Sequence, residues 1–331
     1  MSDVLLPLAA VLLLCLAPAI GAGLPGGGLF FGVIAPSAAM VLFVAGFVFR
    51  IVRWLGSPVP FAIATVSGQE RSLPWMKGSP LESPSSRAGV LARMALEILL
   101  FRSLFRNDRV ELKRKEKLVY GSTRYLWLGG LMFHWSLFFI LVRHLRFLTG
   151  PVPPGIAGLQ HLDGAFQVNL HALFATDLLA TLALAYLLAR RLAMPQVRSI
   201  SLPADFFSLF LLCAVVATGI AMRLGFYVDV FKVKELVMGL ATFHPVIPQG
   251  IGALFYVHLF LASVLFAYFP ASKLMHGPGV FLSPTRNLRN DTRARRHVNP
   301  WNHPVKVHTY EEWEDEFRSA MKDAGMPVEK E

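Results

Sequence analysis

Six stretches of this chain are apolar for as long as a helix needs to cross a bilayer, and this limits the fold more than any other feature. A hydrocarbon core takes about 20 helical residues. Inside it, backbone N–H and C=O groups must bond to each other, which leaves helices or closed barrels. The stretches are Val4–Ile20, Leu29–Val52, Tyr125–Leu148, Val168–Ala189, Ala204–Phe226 and Gly250–Phe269. A soluble domain of 331 residues does not need 54% hydrophobic residues or a mean hydropathy of +0.52. The expected fold is an all-α integral membrane protein, a six-helix bundle.

The charges set its direction. The formal net charge of +11 points to topology and not to nucleic acid, because Lys and Arg collect in cytoplasmic loops. Arg50 and Arg53 close the second stretch, Arg190 and Arg191 the fourth, and Lys273 with Arg286, Arg289, Arg293, Arg295 and Arg296 follows the sixth. Both termini are therefore expected in the cytoplasm of an inner-membrane, multi-pass protein. Arg143 and Arg146 break the rule at an outer end and need another reason. Asp3 stands where a secretory signal would carry positive charge, so the first stretch is read as an uncleaved helix.

Five parts follow: an N-terminal helix and outer loop (1–28), a second helix (29–52), a cytoplasmic insert (53–123), a four-helix region (124–277) and a polar cytoplasmic tail (278–331). The insert opens rich in proline (Pro58, Pro60, Pro74, Pro80, Pro84), which reads as loop. Over Arg87–Phe105 it turns amphipathic, with Leu91, Met94, Ala95, Ile98, Leu99, Phe101 and Leu104 at helical spacing. That suits a helix on the inner membrane surface or one packed in a partner interface. Lys113–Lys117 reads as a solvated basic face beside anionic lipid. Cys15 and Cys213 are isolated in apolar runs, so iron–sulfur chemistry has to come from a partner.

Four histidines carry the chemistry. His134 and His144 lie 10 residues apart on the third stretch; His258 and His276 lie 18 apart on and beyond the sixth. A b-type haem held between two imidazoles needs histidines from two helices at one depth. The third stretch runs outward and the sixth inward. Depth therefore pairs His134 with His276 near the inner face and His144 with His258 near the outer face, for two haems b. The spacings, about 15 Å and 27 Å along ideal helices, do not match, so the sixth helix is expected to continue, kinked, past Pro270. Arg143 and Arg146 flank His144 and can pair haem propionates, or reach headgroups. Asp177, at membrane depth, is either a proton carrier or a hydrogen-bond partner.

These residues resemble the nitrate reductase gamma-subunit family, whose histidine spacings they match over about Leu29–Gly277. The resemblance implies a five-helix cytochrome b core, here with one added N-terminal helix, and a quinol site near the outer haem. Where that family carries a quinol-site lysine, this chain reads Ala165-Phe166-Gln167-Val168; Gln167, His171 or Lys234 could substitute. The stretches GSTRYLWLGGLMFHWS, GALFYVHLFLASVLFAYFPASKLMH and HVNPWNHPVKVHTYEEWEDEF are similar to a narrower group, the cytochrome b subunits of membrane complexes linked to dissimilatory sulfite reduction. That resemblance implies menaquinol oxidation and electron delivery to a cytoplasmic heterodisulfide-reductase-like iron–sulfur subunit. Other implied partners are a periplasmic multihaem cytochrome c, an extracytoplasmic iron–sulfur protein and a second integral membrane subunit that interacts with quinone. Two rivals stand: the same cytochrome serving another reductase, such as nitrate reductase, and a haem-free membrane anchor.

Overall fold

A computed structural model describes residues 2–57, 79–113, 117–164, 167–168, 171–172, 174–225, 228–284, 286–290 and 307–330. Six long helices dominate it: α1 (Ser2–Gly21), α2 (Gly27–Leu55), α5 (Arg124–His144), α7 (Ala175–Ala193), α9 (Pro203–Leu224) and α11 (Ala253–Tyr268), among shorter helices introduced below. Five of the six are long and apolar enough to cross a membrane. The exception, α7, carries Asp177, Arg190 and Arg191 at its two ends. The protein is all-α and membrane-spanning, as its apolar periods predict.

The helices pack in series. α5 lies on α7, α7 on α9, α9 on α11 and α11 on α2, while α1 fits between α9 and α11. Leu211, Leu236 and Leu261 are fully buried in this packing. Small residues allow the closest approaches. A Cβ on Gly46 would fall 2.8 Å from the Pro270 side chain, and one on Gly32 would fall 3.1 Å from Tyr256, so α2 can press on α11 only because both are glycine. Outward faces keep large apolar side chains exposed, such as Leu12, Leu13, Val41 and Phe49, as lipid-facing helices do.

Three expectations need correction. The fourth helix starts at Ala175, not Val168; Gln167–Val168 and His171–Ala172 instead pair as a minimal antiparallel hairpin. The insert also contains a hairpin, Asp108–Lys113 with Lys117–Ser122. Its signal was the alternation Val110, Leu112, Leu118, Tyr120, a period of two that marks strands. Residues 58–78 and 114–116, which include the first prolines and part of the basic run, lie outside the described residues. Finally, α11 does not continue past Pro270. A 3-10 turn ends at Ala271, and Ser272 is extended at φ −103°, ψ 177°. Short turns from Lys273 to Leu282 follow.

The amphipathic part of the insert becomes α3 (Arg87–Leu100) and α4 (Arg102–Arg106). Ser86 caps α3 by accepting the Gly89 N–H at 3.1 Å. Its inward face is the polar one: Arg93 and Glu97 are buried with Val90 and Met94, while Leu91, Ile98 and Leu99 are exposed. The membrane-surface expectation thus gains an apolar outer face. The indoles of Trp127 and Trp135 on α5 donate to the carbonyls of Leu100 (2.7 Å) and Leu99 (3.0 Å). They satisfy carbonyls that the end of a helix leaves free.

Candidate functional site

The four histidines meet in two pairs, one at the C-terminal end of α5 and one at its middle. His144 faces His258 of α11 with ring centres 6.5 Å apart and planes 22° from parallel. His134 faces His276 with centres 5.8 Å apart and planes crossed at 87°. The second pair forms beyond the end of α11: the chain leaves the helix at the extended Ser272, and the short turn from Lys273 sets His276 beside His134. Arg50 steadies the turn by donating to the Pro270 carbonyl at 3.4 Å. Lys273 pairs with Asp205 at the start of α9 at 2.8 Å.

Each imidazole has its Nδ1 engaged. His134 Nδ1 lies 2.7 Å from the Gly130 carbonyl, His144 Nδ1 2.7 Å from the Ile140 carbonyl, and His276 Nδ1 2.9 Å from the Lys273 carbonyl. His258 Nδ1 lies 2.9 Å from Thr218 Oγ1, whose own hydroxyl donates to the Ala214 carbonyl at 2.8 Å. A carbonyl can only accept, so Nδ1 of His134, His144 and His276 carries the proton; with the Thr218 hydroxyl spent on Ala214, His258 Nδ1 donates to Thr218, and each Nε2 keeps a free lone pair. This is how proteins orient metal-binding histidines. Two imidazoles on one iron, at about 2 Å per bond, place their ring centres about 6 Å apart. Both pairs fit that spacing, so the donor set suits two bis-histidine haems. Neither Thr218 nor Gly219 stood out in the sequence, yet a Cβ on Gly219 would come within 3.3 Å of the His258 ring.

A buried ionic network surrounds the His144 end. Arg143, 4% exposed, pairs through Nη2 with Asp177 at 2.9 Å and through Nε with Asp163 at 3.0 Å. Arg223 reaches the other Asp177 oxygen at 2.7 Å. Asp163 ends α6 (Pro154–Asp163) and accepts both the backbone N–H and the hydroxyl of Thr176, at 2.9 and 2.6 Å. Both guanidiniums lie over the Phe174 ring, that of Arg143 at 3.9 Å and that of Arg223 at 4.3 Å. The Arg143 charge is thus balanced inside the protein, but its buried Nη1 has no hydrogen-bond partner among the described residues, which leaves one donor for a propionate or other acceptor. Arg146 donates to Gln160 at 2.8 Å.

The other candidates fall unevenly. Both Asp177 oxygens are held by arginines, which favours the hydrogen-bonding reading over free proton carriage. Lys234 lies on α10 (Val230–Ala241), its Nζ 3.9 Å from where a Gly150 Cβ would stand, in the turn after α5. The side chains of Gln167 and His171 lie outside the described residues. Sequence reasoning missed Asp163 and Arg223. Arg223 carried a signal, being a third arginine at an end that should hold none.

Comparison with known proteins agrees with this architecture. The profile of the family described as nitrate reductase gamma subunit matches residues 86–297. The chain is 45% identical over 281 residues to the Hdr-like menaquinol oxidoreductase cytochrome b-like subunit of Archaeoglobus fulgidus, covering 83% of this chain and 84% of that one. It is 39% identical over 273 residues to the protein of the same description from Archaeoglobus profundus, covering 80% and 81%.

Proposed function

The chain belongs to the nitrate reductase gamma subunit family, and from that premise we propose that it is a di-haem cytochrome b which oxidises menaquinol and passes the electrons across the membrane. The observation that carries the reading is the pair of facing histidine sets at two depths, each with its Nε2 lone pairs free. His144 and His258 would hold the outer haem b, His134 and His276 the inner one. When bound, the haems supply one-electron chemistry, which lets a two-electron quinol be emptied in single steps.

Menaquinol meets the chain beside His144, where Lys234, Gln167 and His171 are the candidate contacts. Arg143 and Arg146 stand at the same end for the propionates. The electrons leave at the His134–His276 end to a cytoplasmic heterodisulfide-reductase-like iron–sulfur subunit, docked on the insert and tail. The relatives' description as Hdr-like menaquinol oxidoreductase subunits supports that partner. The resemblance of its sequence stretches to cytochrome b subunits of complexes linked to dissimilatory sulfite reduction favours a role in sulfur metabolism. The periplasmic multihaem cytochrome c, the extracytoplasmic iron–sulfur protein and the second membrane subunit belong to the same proposal. So do an inner-membrane location and cytoplasmic termini.

A pyridine haemochrome assay on the purified protein tests the reading. Two haems b are expected in the parent, with one lost in each of His134→Ala, His144→Ala, His258→Ala and His276→Ala. A colourless parent refutes it and leaves the haem-free anchor.

A further inference from the structure

The inner histidine pair is gripped from outside the bundle. Phe101, between α3 and α4, adopts φ 49°, ψ 46°, the left-handed region that costs a bulky residue energy. That conformation sets its ring edge-on to His134, with centres 5.0 Å apart and planes at 76°. Phe133 flanks the same imidazole at 5.1 Å. The Trp127 and Trp135 indoles hold the Leu100 and Leu99 carbonyls immediately before Phe101, so the strained residue cannot relax outward.

The same element reaches the second ligand. Glu97, buried one turn before Phe101, accepts the Ser103 N–H at 3.2 Å and the Ser103 hydroxyl, closing the bend. It also pairs with Arg286 at 2.7 Å, and the Asn290 N–H donates to the Pro84 carbonyl at 2.8 Å. Both residues lie on the segment that follows His276. The insert is therefore tied to His134 through a ring and to the His276 segment through an ion pair.

We propose that Phe101 and the Glu97–Arg286 pair form a clamp that holds the His134 and His276 imidazole planes crossed, making this segment a positioning element of the inner redox site. The proposal rests on the haem-ligand reading above. Ligand-plane angle has an electronic consequence. Crossed imidazoles leave the two iron π orbitals nearly equal in energy, which gives a ferric low-spin EPR spectrum with one very large g value. Near-parallel imidazoles split those orbitals and give an ordinary rhombic spectrum. A strained residue at a functional site is where such pre-organisation is stored, and orientation by neighbouring groups is a principal lever on a haem.

The test is EPR of the oxidised, full-length protein beside its haem count. The parent is expected to show one large-g signal and one rhombic signal. Phe101→Ala and Glu97→Gln are expected to move the large-g feature toward the rhombic one, or to lose the inner haem alone. The rhombic signal should stay in place, and Phe101→Tyr should restore the parent spectrum. A Phe101→Ala protein with two haems and an unchanged spectrum overturns the clamp. So does loss of both haems in Phe101→Ala and Phe101→Leu alike, which marks general support of the fold. A parent with two haems but no large-g signal overturns the clamp while leaving the haem-ligand reading standing; a parent without haem overturns both.

Discussion

Thr218 and His258 are joined by a 2.9 Å hydrogen bond between neighbouring helices, 40 residues apart in sequence. The Thr218 hydroxyl donates a hydrogen bond to the Ala214 carbonyl and accepts one from His258 Nδ1–H. A donor bond of this kind makes the imidazole more basic toward a metal at Nε2. Thr218→Val keeps the shape and leaves the buried N–H unmatched, at a cost of about 1–3 kcal/mol. The variant is expected to keep both haems while the outer one becomes easier to reduce and the inner one does not change. Thr218→Ser should restore the parent value. An optically monitored redox titration reads this directly, and an unshifted outer haem would remove Thr218 from the site.

Two glycines separate a redox effect from a packing effect. On Gly219 an added Cβ would stand 3.3 Å from the His258 ring, so the ring must shift by a few tenths of an ångström. On Gly129 it would stand 2.6 Å from Tyr186 on the opposite helix. Gly129→Ala must push a tyrosine out of a packed interface, expected to cost about 1–3 kcal/mol as overpacking does. Gly219→Ala should therefore alter the outer-haem absorption band with little loss of stability, and Gly129→Ala should do the reverse. The same outcome in both variants would contradict the packing described for them.

Five of the six spans, and which histidine rings face each other, are legible in the sequence for one physical reason. Hydrophobic length, positive charge and helix rise each place a residue by depth, and depth alone selects which histidine can face which. Depth says nothing about direction around a helix, so Thr218, Phe101 and the Trp127 and Trp135 indoles were invisible. It also could not show that Arg143 serves Asp163 and Asp177. The break in helix at Ser272 is hidden for a different reason: an 18-residue spacing converts to length only if all of it is helix. The hairpin in the insert was present as a two-residue period but was outweighed by its run of charges.

The tail offers a pH dependence remote from the membrane. Glu314 of α12 (Tyr310–Asp323) accepts the backbone N–H groups of Lys330 and Glu329, both at 2.9 Å. Those bonds, with Arg318 alongside, hold its carboxyl below the usual glutamate range. A carboxylate lowered on folding stabilises the fold above its unfolded pKa of about 4.3, and that stabilisation is lost as pH falls through the lower, folded value. The Lys330 amide is therefore expected to be protected from hydrogen exchange near neutrality and to lose protection on acidification. Glu314→Gln should show weak protection at every pH. Equal protection in parent and variant would mean that the carboxylate does not hold the turn.

The network around Asp177 makes the sharpest stability prediction, because its members differ in exposure. The Arg143 and Asp177 side chains are 4% and 9% exposed, whereas that of Arg223 is 35% exposed. Removing one partner of a buried pair strands the other charge and costs about 3–5 kcal/mol. Asp177→Ala is expected at that level, since it strips a carboxylate from two arginines at once. Arg223→Ala should cost about 1 kcal/mol or less, because solvent already screens that pair. Combining Asp177→Ala with Arg143→Ala should cost less than the sum of the two single changes, because each single change already breaks the Arg143–Asp177 pair; Asp163 loses Arg143 in both proteins that lack it. Unfolding of the detergent-purified protein by SDS titration measures all of these. If Asp177→Ala unfolds like the parent but slows menaquinol oxidation, the arginines are not what keeps Asp177 at this depth, and proton handling from the quinol becomes the reason for a carboxylate there.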